Sequence, residues 1–227
     1  MDVWGNKKKA LTFSYDDGVI QDIRLINILN KYGMKCTFNI NSGCMYKESS
    51  WIYKDKPTQR VSKEEAVNIY GEHEIAMHFL THPRPLEISL EQLDIEINED
   101  IKNLGDLFQC EIVGCAYPYG EYNADVIKQL RISGIKYART VNMSHNFALP
   151  INLFEISPTC KHTDDKLMKL AEEFVNTSCD SPMLFYCWGH SFEFDGDDNW
   201  DVIENFCSYM SNQTDIFFGT NREVFGI

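Results

Sequence analysis

Positive charge is scarce in this sequence: 21 lysines and arginines stand against 34 aspartates and glutamates, a net charge of −13 over 227 residues. Nucleic acids are bound through clustered Lys and Arg, and the one cationic run here is Lys7 to Lys9, so a nucleic-acid partner is set aside. No Cys-x-x-Cys pair occurs among the eight cysteines (36, 44, 110, 115, 160, 179, 187 and 207). That absence argues against a zinc ribbon or a disulfide framework and favours reduced, buried thiols. No stretch reaches the roughly 18 apolar residues of a membrane helix, and the opening MDVWGNKKKALTF lacks the apolar core of a secretory leader. A cytoplasmic location is therefore expected, or an exported one if a leader has been trimmed. Repeats, low-complexity tracts and Pro/Ser linkers are also missing, so residues 1–227 are expected to form one domain. At 44% hydrophobic and 13% aromatic, the chain can bury a substantial core.

Strand-like and helix-like segments alternate along that chain. KKALTFSY is an apolar strand, and VIQDIRLINILNKYG carries Ile23, Ile26 and Tyr32 at helical spacing before stopping at Gly33. KCTFNIN reads as the second strand, and residues 42–60 as a polar insertion forming a surface loop beside the site. Ser62 with Glu65, and Ser89 with Gln92, are capping-box patterns that start two further helices, the second running to about Phe108. HEIAMHF, EIVGCAYPYG, IKYARTV, NLFEIS, PMLFYCWGHSF and DIFFGT read as strands, with helices at NADVIKQLRISG, TDDKLMKLAEEFVNTS and NWDVIENFCSYMSN. Repeated β-then-α units with nearly continuous apolar strands imply a parallel sheet covered by helices, here a distorted (β/α) barrel of about seven parallel strands. Reactive residues in such a barrel sit at the carboxyl ends of the strands.

Several polar residues occupy those ends. Asp16 and Asp17 close the first strand ahead of Gly18, a pattern that also serves as ordinary turn chemistry. His78 and His82 follow the third strand at a spacing of four, which lets two imidazoles converge on one metal if the segment turns helically. A third ligand is then required, with an open position for water. YPYG, residues 117 to 120, makes a tight turn able to aim a backbone N–H into the barrel mouth, and His190 ends an apolar strand just after Gly189. His73, His145 and His162 look less placed for chemistry. DGDDNW, residues 195 to 200, resembles a calcium-loop fragment without its bidentate Glu, and reads as a solvated loop in which Asn199 caps the last helix.

The constellation resembles the polysaccharide deacetylase family, carbohydrate esterase family 4. LTFSYDDG matches that family's strand ending T-F-D-D-G, with two extra residues. HFLTHP matches H-[ST]-x-x-H-P, with Phe79 in place of the hydroxyl residue; CAYPYG is similar to R-x-P-Y-G, and WGHS to the final strand ending in His. The resemblance implies a metal-dependent deacetylase in which Asp17, His78 and His82 hold a divalent ion, Zn2+ or else Co2+ or Ni2+. It implies Asp16 as general base, the Tyr119 N–H as oxyanion donor, His190 as general acid, and an N-acetylated (or O-acetylated) oligo- or polysaccharide as substrate. Two departures stand out. Ala116 replaces the arginine that tunes the base, for which Arg139 is the candidate substitute; the Asp that orients the acid histidine has no match in residues 142–160, leaving Glu193 or Asp195. Competing readings are an amidase acting on a small non-sugar C–N bond and a binding protein whose catalysis is impaired.

Overall fold

The structure, a computed structural model, describes residues 4–46, 48–178 and 180–227; Cys179 lies outside the described residues. Its central strand is β1 (Lys9–Asp16), buried at every position, as expected of a strand with both faces covered. One edge of β1 pairs with β9 (Met183–Gly189) from Lys9 to Tyr15. The other edge is shared: β10 (Ile216–Phe218) takes Lys9 to Leu11, and β2 (Thr37–Ile40) takes Ser14 to Asp16. Beyond β2 lie β5 (Glu74–Met77), β6 (Gly114–Ala116) and β7 (Tyr137–Arg139), and beyond β9 lies β8 (Cys160–Lys161). All these pairings are parallel, and the sheet curls into the distorted (β/α) barrel of about seven parallel strands that the alternation implied.

Helices α1 (Asp22–Lys31), α2 (Lys63–Ile69), α3 (Leu90–Phe108), α4 (Ala124–Ile132), α5 (Leu167–Asn176) and α7 (Trp200–Ser211) lie between strands. Their apolar faces pack on the sheet: α7 buries Ile203, Phe206, Cys207 and Met210, and Phe206 meets Phe13 of β1 edge-on at 5.9 Å. Helix α1 buries Leu25, Ile26, Ile28 and Leu29, whereas Ile23 is turned to solvent. The capping box of Ser62 and Glu65 starts α2, and Ser89 accepts from the Gln92 N–H at the head of α3. Asn199 precedes α7 but makes no side-chain cap bond. All seven described cysteines are free thiols. No helix among the described residues is long and apolar enough to cross a membrane.

Three segments differ from the sequence reading. The 42–60 insertion folds into an antiparallel hairpin, β3 (Ser50–Tyr53) with β4 (Lys56–Gln59), turning on Lys54 and Asp55 with both φ positive. NLFEIS is not a strand: the Asn152 side chain accepts the Phe154 N–H and turns the chain, and Ile156 alone bridges Arg139. This irregular stretch still links β7 to β9, since Thr140 donates to the Ile156 carbonyl (2.8 Å) and Thr159 to the Tyr186 carbonyl (2.9 Å). Residues 192–197, read in part as loop, form a short helix α6 (Phe192–Asp197), and α8 (Asn221–Phe225) follows β10.

Candidate active site at the carboxyl rim

The two acids part company because the chain turns between them. Asp16 is the last residue of β1, and Asp17 sits in the left-handed region at φ 84°, followed by Gly18 at φ 63°. A non-glycine residue there is strained, and Phe79, His82 and Tyr119, all at this rim, share the same conformation. Asp16, 2% exposed, receives both oxygens' bonds from the Arg139 guanidinium, at 2.6 Å to Oδ1, and a third from Asn39 Nδ2 at 2.8 Å. Arg139 is itself held by Ser14 Oγ and the Thr140 carbonyl, with its guanidinium 4.5 Å from the centre of the Trp188 ring. Burial opposes ionisation of Asp16, but the Arg139 charge, aided by His78 and His190, holds its pKa below the usual carboxylate value. In the β6–β7 register Ala116 stands beside Arg139. The guanidinium missing from one strand thus reaches Asp16 from the next.

Asp17 has a different cation. Arg60, directly after β4, donates from Nη1 to the Asp17 carbonyl and from Nη2 to its Oδ1 at 3.1 Å. Burial pushes the Asp17 pKa up, but Arg60 first, then the histidines, bring it far below the ordinary range. Arg60 was not foreseen from the sequence. It lies in the insertion, 43 positions from Asp17, and only the hairpin's fold-back brings the two together.

His78 and His82 do converge, their ring centroids 4.8 Å apart. The path is not the helical turn expected from the spacing: Phe79 (φ 63°) and His82 (φ 58°) are left-handed, and the loop is tied by side chains. Asn41 Nδ2 donates to the carbonyls of His78 and Phe79, Asp100 accepts the His78 N–H at 3.2 Å, and Glu96 accepts the Thr81 N–H and hydroxyl. His78 Nδ1 is 2.8 Å from the Ala116 carbonyl. Only a protonated Nδ1 can bond a carbonyl, so Nε2 keeps its lone pair. Burial lowers the pKa of His78 to about 4, and burial likewise lowers that of His82, so both imidazoles are neutral at pH 7. Ligating atoms of Asp17, His78 and His82 lie within 4.8 Å of one another. One ionised carboxylate and two neutral imidazoles form a donor set that fits a divalent metal such as zinc.

His190 faces this group from the end of β9. Its Nε2 is 3.9 Å from Asp16 Oδ2 and 4.0 Å from Asp17 Oδ2, and its Nδ1 is 3.4 Å from Glu193 Oε2. Burial works against a charged His190, yet Glu193 and the two aspartates together raise its pKa above the ordinary value. Glu193, despite burial, is drawn down to about 2 by His190 and by Lys161, whose Nζ is 2.6 Å from Oε1. Asp195 instead accepts from Trp200 Nε1 at 2.7 Å, so the turn of α6 directs only Glu193 to the histidine. Behind them His162 is fully buried between Tyr15 and Phe194, with Nε2 3.5 Å from Glu193. Gly189 makes room for it, since a Cβ there would fall 1.9 Å from His162 Nδ1.

Tyr119 occupies a tight turn, Pro118–Gly120, at φ 57°. Its ring is half-exposed, 4.7 Å from that of His82, with the Arg84 guanidinium 4.4 Å from its centre. Across the mouth, Trp51 and Tyr53 of the hairpin pack edge-on against Phe192, itself 5.2 Å from His190.

Solved structures share this architecture. A family 4 carbohydrate esterase from Streptomyces lividans in complex with acetate aligns over 97% of this chain and 96% of its own, with a TM-score of 0.62 at 15% identity. A structure described as a putative polysaccharide deacetylase from Mycobacterium smegmatis aligns over 97% and 90%, at 0.69 and 16%. A Streptococcus pyogenes deacetylase in complex with acetate aligns over 63% of this chain and 61% of its own, at 0.55 and 19%. No curated protein matches the sequence. Together these likenesses define the fold as an α/β barrel whose candidate site lies at the carboxyl rim. The chain belongs to the polysaccharide deacetylase family, whose model matches residues 5–138.

Proposed function

We propose that the protein is a metal-dependent hydrolase removing acetyl groups from N-acetylated oligo- or polysaccharides. The observation that carries this reading is the division of labour at the rim: each acid has its own guanidinium, two neutral imidazoles stand beside Asp17, and a third histidine biased towards its charged form faces both acids. Asp17, His78 and His82 would hold the ion. When bound, a divalent cation supplies Lewis acidity, polarising an acetyl carbonyl and acidifying a water towards neutrality.

The chain's own residues do the rest. Asp16, ionised by Arg139 and kept off the metal set by the turn at Asp17, takes the water's proton as the water attacks the carbonyl carbon. The backbone N–H of Tyr119 donates to the oxygen that becomes negative, a contribution of about 3 kcal/mol for one such donor. His190, held protonated by Glu193, gives its proton from Nε2 to the departing amine, or to the alkoxide of an O-acetyl substrate. Glu193 thereby serves as the orienting carboxylate that residues 142–160 lack.

Metal-reconstituted protein should release acetate from N-acetylated oligosaccharides and stop on chelation. Release from a simple amide and not from the sugar would turn the reading to a small-molecule amidase, and no release from sugar, acetylated xylan or amide would mark a binding protein. A second result is expected from Glu193→Gln. Loss of the carboxylate lowers the pKa of His190, so its acid form disappears at lower pH and the basic limb of the kcat/KM profile moves down. Turnover should fall about 10- to 100-fold with metal content unchanged; a basic limb that stays in place removes Glu193 from this role.

A further inference from the structure

The hairpin insertion contributes more than a wall to the mouth. Its second strand leads straight into Arg60, and the main chain there is stitched to the turn that carries the acids. Ile20 N donates to the Gln59 carbonyl (3.0 Å), Val61 N donates to the Gly18 carbonyl (2.9 Å), and Arg60 bridges Val19. The guanidinium, 9% exposed, then spans both ligand-bearing loops. Nη1 bonds the Asp17 carbonyl and, at 2.7 Å, Asn41 Oδ1, while the Asn41 amide holds the His78 and Phe79 carbonyls. Trp51 covers it, with the ring centre 5.4 Å away.

Two adjacent buried carboxylates need two compensating charges, because an uncompensated buried charge is strongly destabilising. Arg139 is committed to Asp16, so Arg60 is the cation that neutralises Asp17. It does so at the same carboxylate that a divalent ion would need. A guanidinium and a dication on one carboxylate repel each other, and in a buried site that repulsion is weakly screened.

We infer that Arg60 is a positioning residue and a built-in counter-cation: it keeps the two ligand loops assembled around an ionised Asp17 in the metal-free protein, and it competes with the metal for that carboxylate. The site is thereby pre-formed, and its affinity for the ion is lowered. This inference rests on the metal-binding reading given above. A group that merely scaffolds the site would have the opposite signature, since its removal would loosen the ligands and weaken binding.

The test is the Kd for Zn2+ of the full chain at pH 8, by competition with a chelating dye, together with the Tm of metal-free and zinc-loaded protein. Arg60→Gln should lower the metal-free Tm, tighten the Kd about tenfold, and enlarge the rise in Tm on zinc binding. Arg60→Lys keeps the charge without the two-pronged grip; its Kd should stay within about twofold of the parent while the metal-free Tm falls. It tests the same claim should the glutamine variant not fold, because a lysine variant whose Kd tightens or weakens tenfold overturns the counter-cation role. An unchanged or weaker Kd in Arg60→Gln also overturns it while leaving the metal reading intact. Failure of the parent protein to bind zinc overturns both.

Discussion

Replacing Asp17 with alanine should leave a protein that cannot be loaded with metal and does not release acetate. Asp17 is the one carboxylate in the group whose ligating atoms lie within 4.8 Å, and two neutral imidazoles alone lack both the negative charge and the third donor of a hydrolytic site. Affinity should fall by several orders of magnitude. The substitution also leaves Arg60 as a buried, unpaired cation, and breaking a buried pair commonly costs about 3–5 kcal/mol, so a lower Tm is expected in the metal-free state. Asp17→Asn separates the effects: the amide oxygen can still accept from Arg60, so stability should recover in part while metal loading does not. Elemental analysis after reconstitution and desalting is the decisive measurement. Equal metal content in the parent and Asp17→Ala proteins would remove Asp17 from the ligand set and, with it, the separation of the two acids into different jobs.

How far such a site can be read in advance depends on whether a contact is local. Asp16, His78 and His190 were legible because Asp16 ends an apolar strand and the two histidines directly follow one, and a parallel barrel gathers strand ends at one rim. Arg139 was found the same way, as the last residue of β7. Arg60 was invisible, because its meeting with Asp17 is made by a hairpin folding back over 43 positions, and the insertion's composition reads only as a polar loop. The choice between Glu193 and Asp195 stayed open for a related reason. Helix α6 has six residues, too few for a periodic pattern, and its turn alone decides which carboxylate meets His190. The backbone was least legible of all. Phe79 and His82 adopt left-handed φ that bulky residues rarely take, and it is Asn41, just after β2, with Glu96 and Asp100 of α3, that ties down the loop carrying them through His78, Phe79 and Thr81. Sequence spacing pointed to two histidines that do converge, but by way of a helical turn that does not exist.

Asp16→Asn should reverse the pattern expected of Asp17: full metal content with turnover lost. The asparagine keeps the size of the side chain and an oxygen for Arg139 and Asn39 to bond, so the turn into Asp17 and the ligand positions should survive. What disappears is the ability to take a proton, and a positioned general base commonly contributes about 10²- to 10⁴-fold to the rate. A fall in kcat of about a thousandfold with unchanged zinc affinity is therefore expected. Arg139 supplies an independent check on the same assignment. Its charge is what holds the Asp16 pKa down against burial, so Arg139→Met should raise that pKa. The base is then ionised only at higher pH, and the acidic limb of the kcat/KM profile should move up while metal content stays the same. Had Asp16 instead been a metal ligand, both substitutions would alter zinc binding and neither would need to displace the acidic limb. An Asp16→Asn protein that loses its zinc, or an Arg139→Met protein whose acidic limb is unmoved, would show that the arginine-bound aspartate is not the base.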